Sequence, residues 1–156
     1  MWKYVRTLLP NDETAADAVQ NVWVRILRGL PSLRDPALFG AWAYRIAHHA
    51  AMDQLRRKYA DALIGSLDEN DEETAGAAVE SDPSGEEDLE ALEAGLMSLP
   101  VVERNVLSLF YLQELSLAEI AGVSDVPLGT VKSRLHRARR LLRRLLESPT
   151  PETKHA

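Results

Sequence analysis

Lys132, Ser133, His136 and Arg137 stand at i, i+1, i+4 and i+5, which puts four hydrogen-bonding side chains on one face of a helix. Groups of this kind in the first turns of a helix reach base edges in a DNA major groove, and Thr130 stands just ahead of them. Arg139, Arg140, Arg143 and Arg144 follow on the flanks, long cations suited to phosphate. A second stripe, Arg45, His49, Met52 and Arg56 with Arg57 beside it, recurs at helical spacing near Trp42. Cations next to an aromatic suit a single nucleic-acid strand, where stacking and phosphate attraction both contribute. Metal chemistry is poorly served. His48, His49 and Asp53 offer two ligands at i, i+4 and no third nearby, so neither a metal nor a cofactor is expected. Gly-rich phosphate loops and nucleophile motifs are absent from the sequence, so no enzymatic role is expected.

These side chains need elements to hold them, and the sequence predicts helices throughout. Ser116 and Glu119 form a capping-box pair that opens a short helix. A tight turn at Asp125 follows, and beyond Pro127 comes the basic helix, with seven Lys/Arg and no acid up to Leu146. Val131, Leu135, Ala138, Leu142 and Leu145 form its packing face. By itself such a helix also suits oligomerisation; the capped helix and turn ahead of it favour DNA binding. Upstream, Asn11-Asp12 caps a helix with apolar Val19, Trp23, Ile26, Leu27 and Leu30, which Gly29 and Pro31 end. Trp23 is expected in the core. Asp35-Pro36 opens the next helix, which is expected to reach about Tyr59 with Phe39, Ala43, Ile46 and Ala50 inward. Helicity resumes at EEDLEALEAGLMSL, and Pro100 opens another helix with Val102, Val106, Leu109 and Phe110 inward.

Charge divides the chain in the same places. The net charge is −6, yet residues 1–60 hold 9 Lys/Arg against 5 Asp/Glu, and residues 99–156 hold 9 against 6. Residues 61–98 hold 13 acids and no base. Two basic blocks thus flank an acidic middle, and the whole-chain acidity does not argue against nucleic acid. The expected architecture is all-α: a helical domain over 1–59, an acidic linker over 60–86, a helix-turn-helix domain over 87–147, and a tail over 148–156. The linker is too poor in large apolar residues to fold alone, and its length lets the halves sit well apart. The chain has no cysteine, which excludes disulfides and Cys-ligated zinc and suits a reducing cytosol. Neither a signal-peptide pattern nor an apolar run of membrane-spanning length is present, so a cytoplasmic protein without membrane insertion is expected.

SLAEIAGVSDVPLGTVKSRLHRARRLL resembles region 4 of the extracytoplasmic-function (ECF, group IV) sigma factors of the sigma-70 family. Asp17-Ala-Val-Gln-Asn-Val-Trp23, Phe39-Gly-Ala-Trp-Ala-Tyr-Arg-Ile-Ala47 and Asp53-Gln-Leu-Arg-Arg57 resemble region 2. The two resemblances cover about residues 2–59 and 88–146, in the family's order. They imply a protein that binds core RNA polymerase, at the β′ clamp helices and the β flap, and directs promoter-specific initiation. Region 4 of the family reads the −35 element, which implies that role for Thr130, Lys132, Ser133, His136, Arg137, Arg139 and Arg140. Region 2 opens the −10 element, which implies that role for the 32–38 loop and for Arg45, His49, Met52, Arg56 and Arg57. Asp17, Gln20, Asn21, Val24 and Arg25 correspond to the polymerase-docking surface. An anti-sigma partner is implied as well, and the acidic linker resembles the segment that threads the polymerase's basic channels.

Three departures from the family stand out. His49 occupies a position commonly held by Asn. Asp125 occupies a turn position usually held by Gly, where its tolerance of left-handed geometry should preserve the turn. The chain also begins inside the family's first helix, about a dozen residues late against typical helix lengths. Two rivals remain at this point, a sigma-like mimic that sequesters an anti-sigma factor and a plain helix-turn-helix regulator.

Overall fold

The computed structural model describes residues 1–65 and 86–147. Among them are seven α-helices and no strand. Most of the expected 60–86 linker and the 148–156 tail lie outside the described residues.

Helix α1 (Trp2–Leu8) is short and buries Tyr4, Val5 and Leu8. Helix α2 (Asp12–Gly29) begins where expected: the Asn11 side chain accepts from the Thr14 N–H at 2.9 Å, and Asp12 and Glu13 sit in the first turn. Both features offset the unsatisfied N–H groups and the positive end of the helix dipole. The helix ends at Gly29, where a Cβ would lie 2.8 Å from Cζ2 of Trp42, so a larger residue could enter only if that indole shifted. Two 3-10 turns, Leu30–Ser32 and Pro36–Leu38, lead into the next helix. Asp35 accepts from the Ala37 N–H at 2.9 Å, so Asp35-Pro36 opens a 3-10 turn and the α-helix starts only afterwards.

Helix α3 (Phe39–Gly65) runs beyond the expected end near Tyr59. It buries Ala43, Ala47, Ala50 and Ala51, and their small side chains let neighbours approach on two sides. One neighbour is α2 and the other is α6. Phe39, expected inward, is exposed at the start of α3.

The second half begins with α4 (Glu86–Ser98), which packs on the last helix. Helix α5 (Val101–Leu107) passes into a π turn over Ser108–Leu112, with the Gln113 N–H donating to the Ser108 carbonyl at 3.1 Å. Glu114, at φ 55°, ends this element. Val106 and Leu109 are buried as expected, whereas Val102 is exposed. Helix α6 (Leu117–Ser124) has its capping box in full: the Ser116 Oγ accepts from the Glu119 N–H at 3.2 Å, and the Ser116 N–H donates to Glu119 Oε2 at 2.7 Å. Those bonds hold the Glu119 carboxyl below the usual carboxylate range.

Asp125 adopts φ 52° and ψ 44°, the left-handed conformation expected of the turn. Helix α7 (Leu128–Glu147) then runs across α5 and α6, burying Val131, Leu135 and Ala138. Side chains of this size each gain about 1.5–3 kcal/mol on full burial, less for alanine. Leu145, expected on the packing face, is exposed two residues before the helix ends.

The two halves lie against each other. Helix α1 packs on α5 and on the π turn, and α3 packs on α6. Fully buried Tyr4 donates its hydroxyl to Asn105 Oδ1 at 2.7 Å, and Asn105 Nδ2 donates to Ser124 Oγ at 3.2 Å. Arg104 of α5 donates to the carbonyls of Thr7 and Leu99 at 3.0 and 3.1 Å, and the Tyr44 hydroxyl donates to Gln113 Oε1.

Candidate nucleic-acid interface

Helix α7 presents Lys132, Ser133, His136 and Arg137 to solvent, as its periodicity requires once Val131, Leu135 and Ala138 face inward. Thr130 is half-buried, and its carbonyl accepts from Ser133 Oγ at 3.0 Å. Arg137 leans back: its Nε lies 3.3 Å from Oε1 of Glu103, whose side chain is only 6% exposed. Val102, Glu103, Ser133, Arg134 and Arg137 together line an open cleft beside the helix. A buried acid under an exposed arginine fixes where that guanidinium points. Arg139 is held as well, donating Nε to the Tyr111 hydroxyl at 2.7 Å with its guanidinium 5.4 Å from the ring centroids of Phe110 and Tyr111. Tyr111 lies exposed within the π turn. Arg140 is exposed.

The stripe on α3 is only partly a common surface. Arg45 and His49 converge on one carboxylate: Arg45 Nη2 lies 2.8 Å from Asp125 Oδ1, and His49 Nε2 lies 2.6 Å from Asp125 Oδ2. The hydrogen bond from His49, with Arg45 adding to it, holds the Asp125 carboxyl below its usual value. Arg56 pairs within its own helix with Asp53 at 3.4 Å, Arg57 is exposed, and Met52 packs against the core. His48, one residue from this stripe, is buried between the halves. Burial, with His49 alongside, pushes its imidazole down to about 4.

On α2, Asp17, Gln20, Asn21, Val24 and Arg25 are all exposed. The core expectation for Trp23 is wrong: it is 47% exposed, and Leu27 is 68% exposed. The buried stripe is Ala15, Ala18, Val22 and Ile26, rotated away from the larger side chains. Trp23, Val24, Leu27 and Leu30 therefore form an exposed apolar surface next to the four polar and charged positions. Size misled the sequence reading, and the alanine spacing was the signal that could have corrected it. Glu103, Tyr111 and the exposed role of Asp125 were also missed, since each acts through a partner distant in sequence. Among the described residues no group of three or more His, Asp or Glu could hold a metal, and no helix is long and apolar enough to cross a membrane.

Two family descriptions match the chain: sigma-70 region 2 over residues 1–60 and sigma-70 region 4 over residues 89–148. The ECF RNA polymerase sigma factor SigW of Bacillus subtilis is 32% identical over 147 residues, covering 89% of this chain and 79% of that one. The chain belongs to the ECF sigma factors of the sigma-70 family. The ECF sigma-E factor of Escherichia coli is 34% identical over 131 residues, covering 79% of this chain and 69% of its own. Among solved structures, the sigma factor RpoE of Bartonella quintana, in complex with the anti-sigma factor NepR, superposes with a TM-score of 0.78 at 21% identity. That match covers 96% of this chain and 91% of the other, so the fold is shared across both halves. The protein is a promoter-directing sigma factor. The exposed row on α7 belongs to the region 4 half, and the Arg45–His49 pair belongs to the region 2 half.

Proposed function

We propose that this ECF sigma factor reads the −35 element with α7 and the −10 element with α3, and docks on core RNA polymerase through the outward face of α2. The observation that carries the reading is the exposed row Lys132, Ser133, His136 and Arg137 on a helix locked from behind by Val131, Leu135 and Ala138. Thr130 shapes the start of the row through Ser133, and Arg139 and Arg140 supply phosphate contacts beyond it. On α3, Arg45, His49, Arg56 and Arg57 meet the displaced strand, with Met52 supporting the helix from the core side. Asp17, Gln20, Asn21, Val24 and Arg25, together with Trp23 and Leu27, form the polymerase face. The domains are 1–59 and 87–147. The protein works in the cytoplasm, starts transcription without catalysing a reaction itself, and answers to an anti-sigma factor, as the complexed B. quintana relative does.

Run-off transcription with purified core polymerase on a promoter library randomised at both elements tests this. Lys132→Ala or His136→Ala is expected to lower initiation about 5- to 150-fold on promoters that keep a −35 element, since a base contact is worth roughly 1–3 kcal/mol. Core-polymerase binding should be unchanged. Equal losses of initiation and polymerase binding would refute the assignment.

A further inference from the structure

The turn of the helix-turn-helix and the cationic stripe of α3 meet at one side chain. Asp125 divides its two carboxylate oxygens between two donors, Oδ1 to Arg45 at 2.8 Å and Oδ2 to His49 at 2.6 Å. One anion bridging two such donors is the arrangement a nucleic-acid phosphate would make with the same pair. The backbone does not demand an acid here. At φ 52° and ψ 44° glycine fits more easily and asparagine equally well, so the charge is what distinguishes Asp125.

The contact stands at the exposed rim of a larger interface. Inside the rim lie the Tyr4–Asn105–Ser124 chain of hydrogen bonds and the Tyr44–Gln113 bond. Arg45, His49 and Asp125 are each about half-exposed, within reach of water and salt. A strand that brings its own phosphates therefore meets Asp125 before any buried contact, and displacing it removes one tie between the halves.

We propose that Asp125 is an intramolecular latch that occupies the Arg45–His49 pair in place of a phosphate and withholds it from promoter DNA while the two halves are packed. This rests on the assignment of Arg45 and His49 to the −10 contact. The latch and the strand exclude each other on the same two side chains. By linkage, whatever separates the halves strengthens strand binding by the factor with which strand binding favours separation. Solvent-exposed ion pairs are weak and are screened by salt. The latch is accordingly a bias on a population, one that polymerase docking can override.

The test uses the full-length protein, whose sequence has no cysteine and so accepts a dye pair at Glu13→Cys and Glu147→Cys. Single-molecule energy transfer reads the separation of the halves, and anisotropy reads binding of a fluorescent oligo(dT) strand. Asp125→Asn and Asp125→Gly both suit the turn, and thermal melts by circular dichroism confirm folding. The expected result is a rise of about two- to fivefold in the separated population at low salt, with a matching gain in oligo(dT) affinity. Added salt should bring the wild type toward the variants. An unchanged separation in both variants would overturn the latch and leave the −10 assignment untouched. Separation without a gain in oligo(dT) affinity would overturn the masking, and the −10 assignment of Arg45 and His49 with it.

Discussion

Acidification is expected to loosen the packing of the two halves through one side chain, His48. Its imidazole is nine-tenths buried, and burial, with His49 next in line, pushes its pKa from 6.5 down to about 4. Tyr4 of α1, Asn105 of α5, Asp125 of the turn and Arg134 of α7 face it from the surrounding elements. Because the packed-state value is depressed, the freed histidine takes a proton that the packed one refuses. The packed state keeps its full stability above about pH 6.5 and loses it as the pH falls toward 4. At about 1.4 kcal/mol per pH unit, the loss is roughly 2 kcal/mol at pH 5 and about 3 kcal/mol once the ring is fully charged. Asp125, whose carboxyl is held low by His49, loses its contribution in the same direction at lower pH. Urea titrations followed by circular dichroism at about pH 7.5 and pH 5 measure the loss. His48→Gln keeps a hydrogen-bonding group and removes the titration, so it should lose far less stability than the wild type. Equal losses in the two proteins would refute the claim that His48 senses the proton.

The remaining expectations concern single contacts. Arg137→Ala removes the cation beside the buried Glu103 carboxylate and should cost about 1–3 kcal/mol in thermal melts as well as −35 affinity. Adding Glu103→Gln should restore most of the stability but not the DNA affinity measured by anisotropy; recovery of both would show that Arg137 acts only through folding. Gly29→Ala should destabilise by about 1–3 kcal/mol, because its Cβ would meet Trp42 at 2.8 Å. Gly40→Ala, with open space around it, should instead stabilise by about 0.5–1 kcal/mol. Melting temperatures of the two variants should move in opposite directions.

What the sequence made legible was local. The Asn11 cap, the Ser116–Glu119 box, the left-handed Asp125 and the inward row Val131, Leu135 and Ala138 all follow from spacings of four residues or fewer, and all are present. The face of α2 was misjudged because its buried stripe opens with two alanines, Ala15 and Ala18, whose weak hydrophobic signal is overwhelmed by Trp23 and Leu27. Small residues bury well where a helix must approach closely, as α3 also shows with its four buried alanines. The docking of the halves left no pattern to read. Tyr4, His48, Asn105 and Ser124 are polar, and each has its reason in a partner far along the chain. The same holds for Glu103 under Arg137 and Tyr111 beside Arg139.

The π turn at Ser108–Leu112 holds one residue more than an α-helical turn would. In a helix, one residue is roughly 100° of rotation about the axis. Everything that follows, from the capped α6 through the Asp125 corner to α7, leaves α5 with that offset built in. The compass bearing of the region 4 reading head is thus set upstream of the head itself, by a surplus of one amino acid. A chain shortened by one residue there would carry the exposed row of α7 unchanged and aim all of it elsewhere.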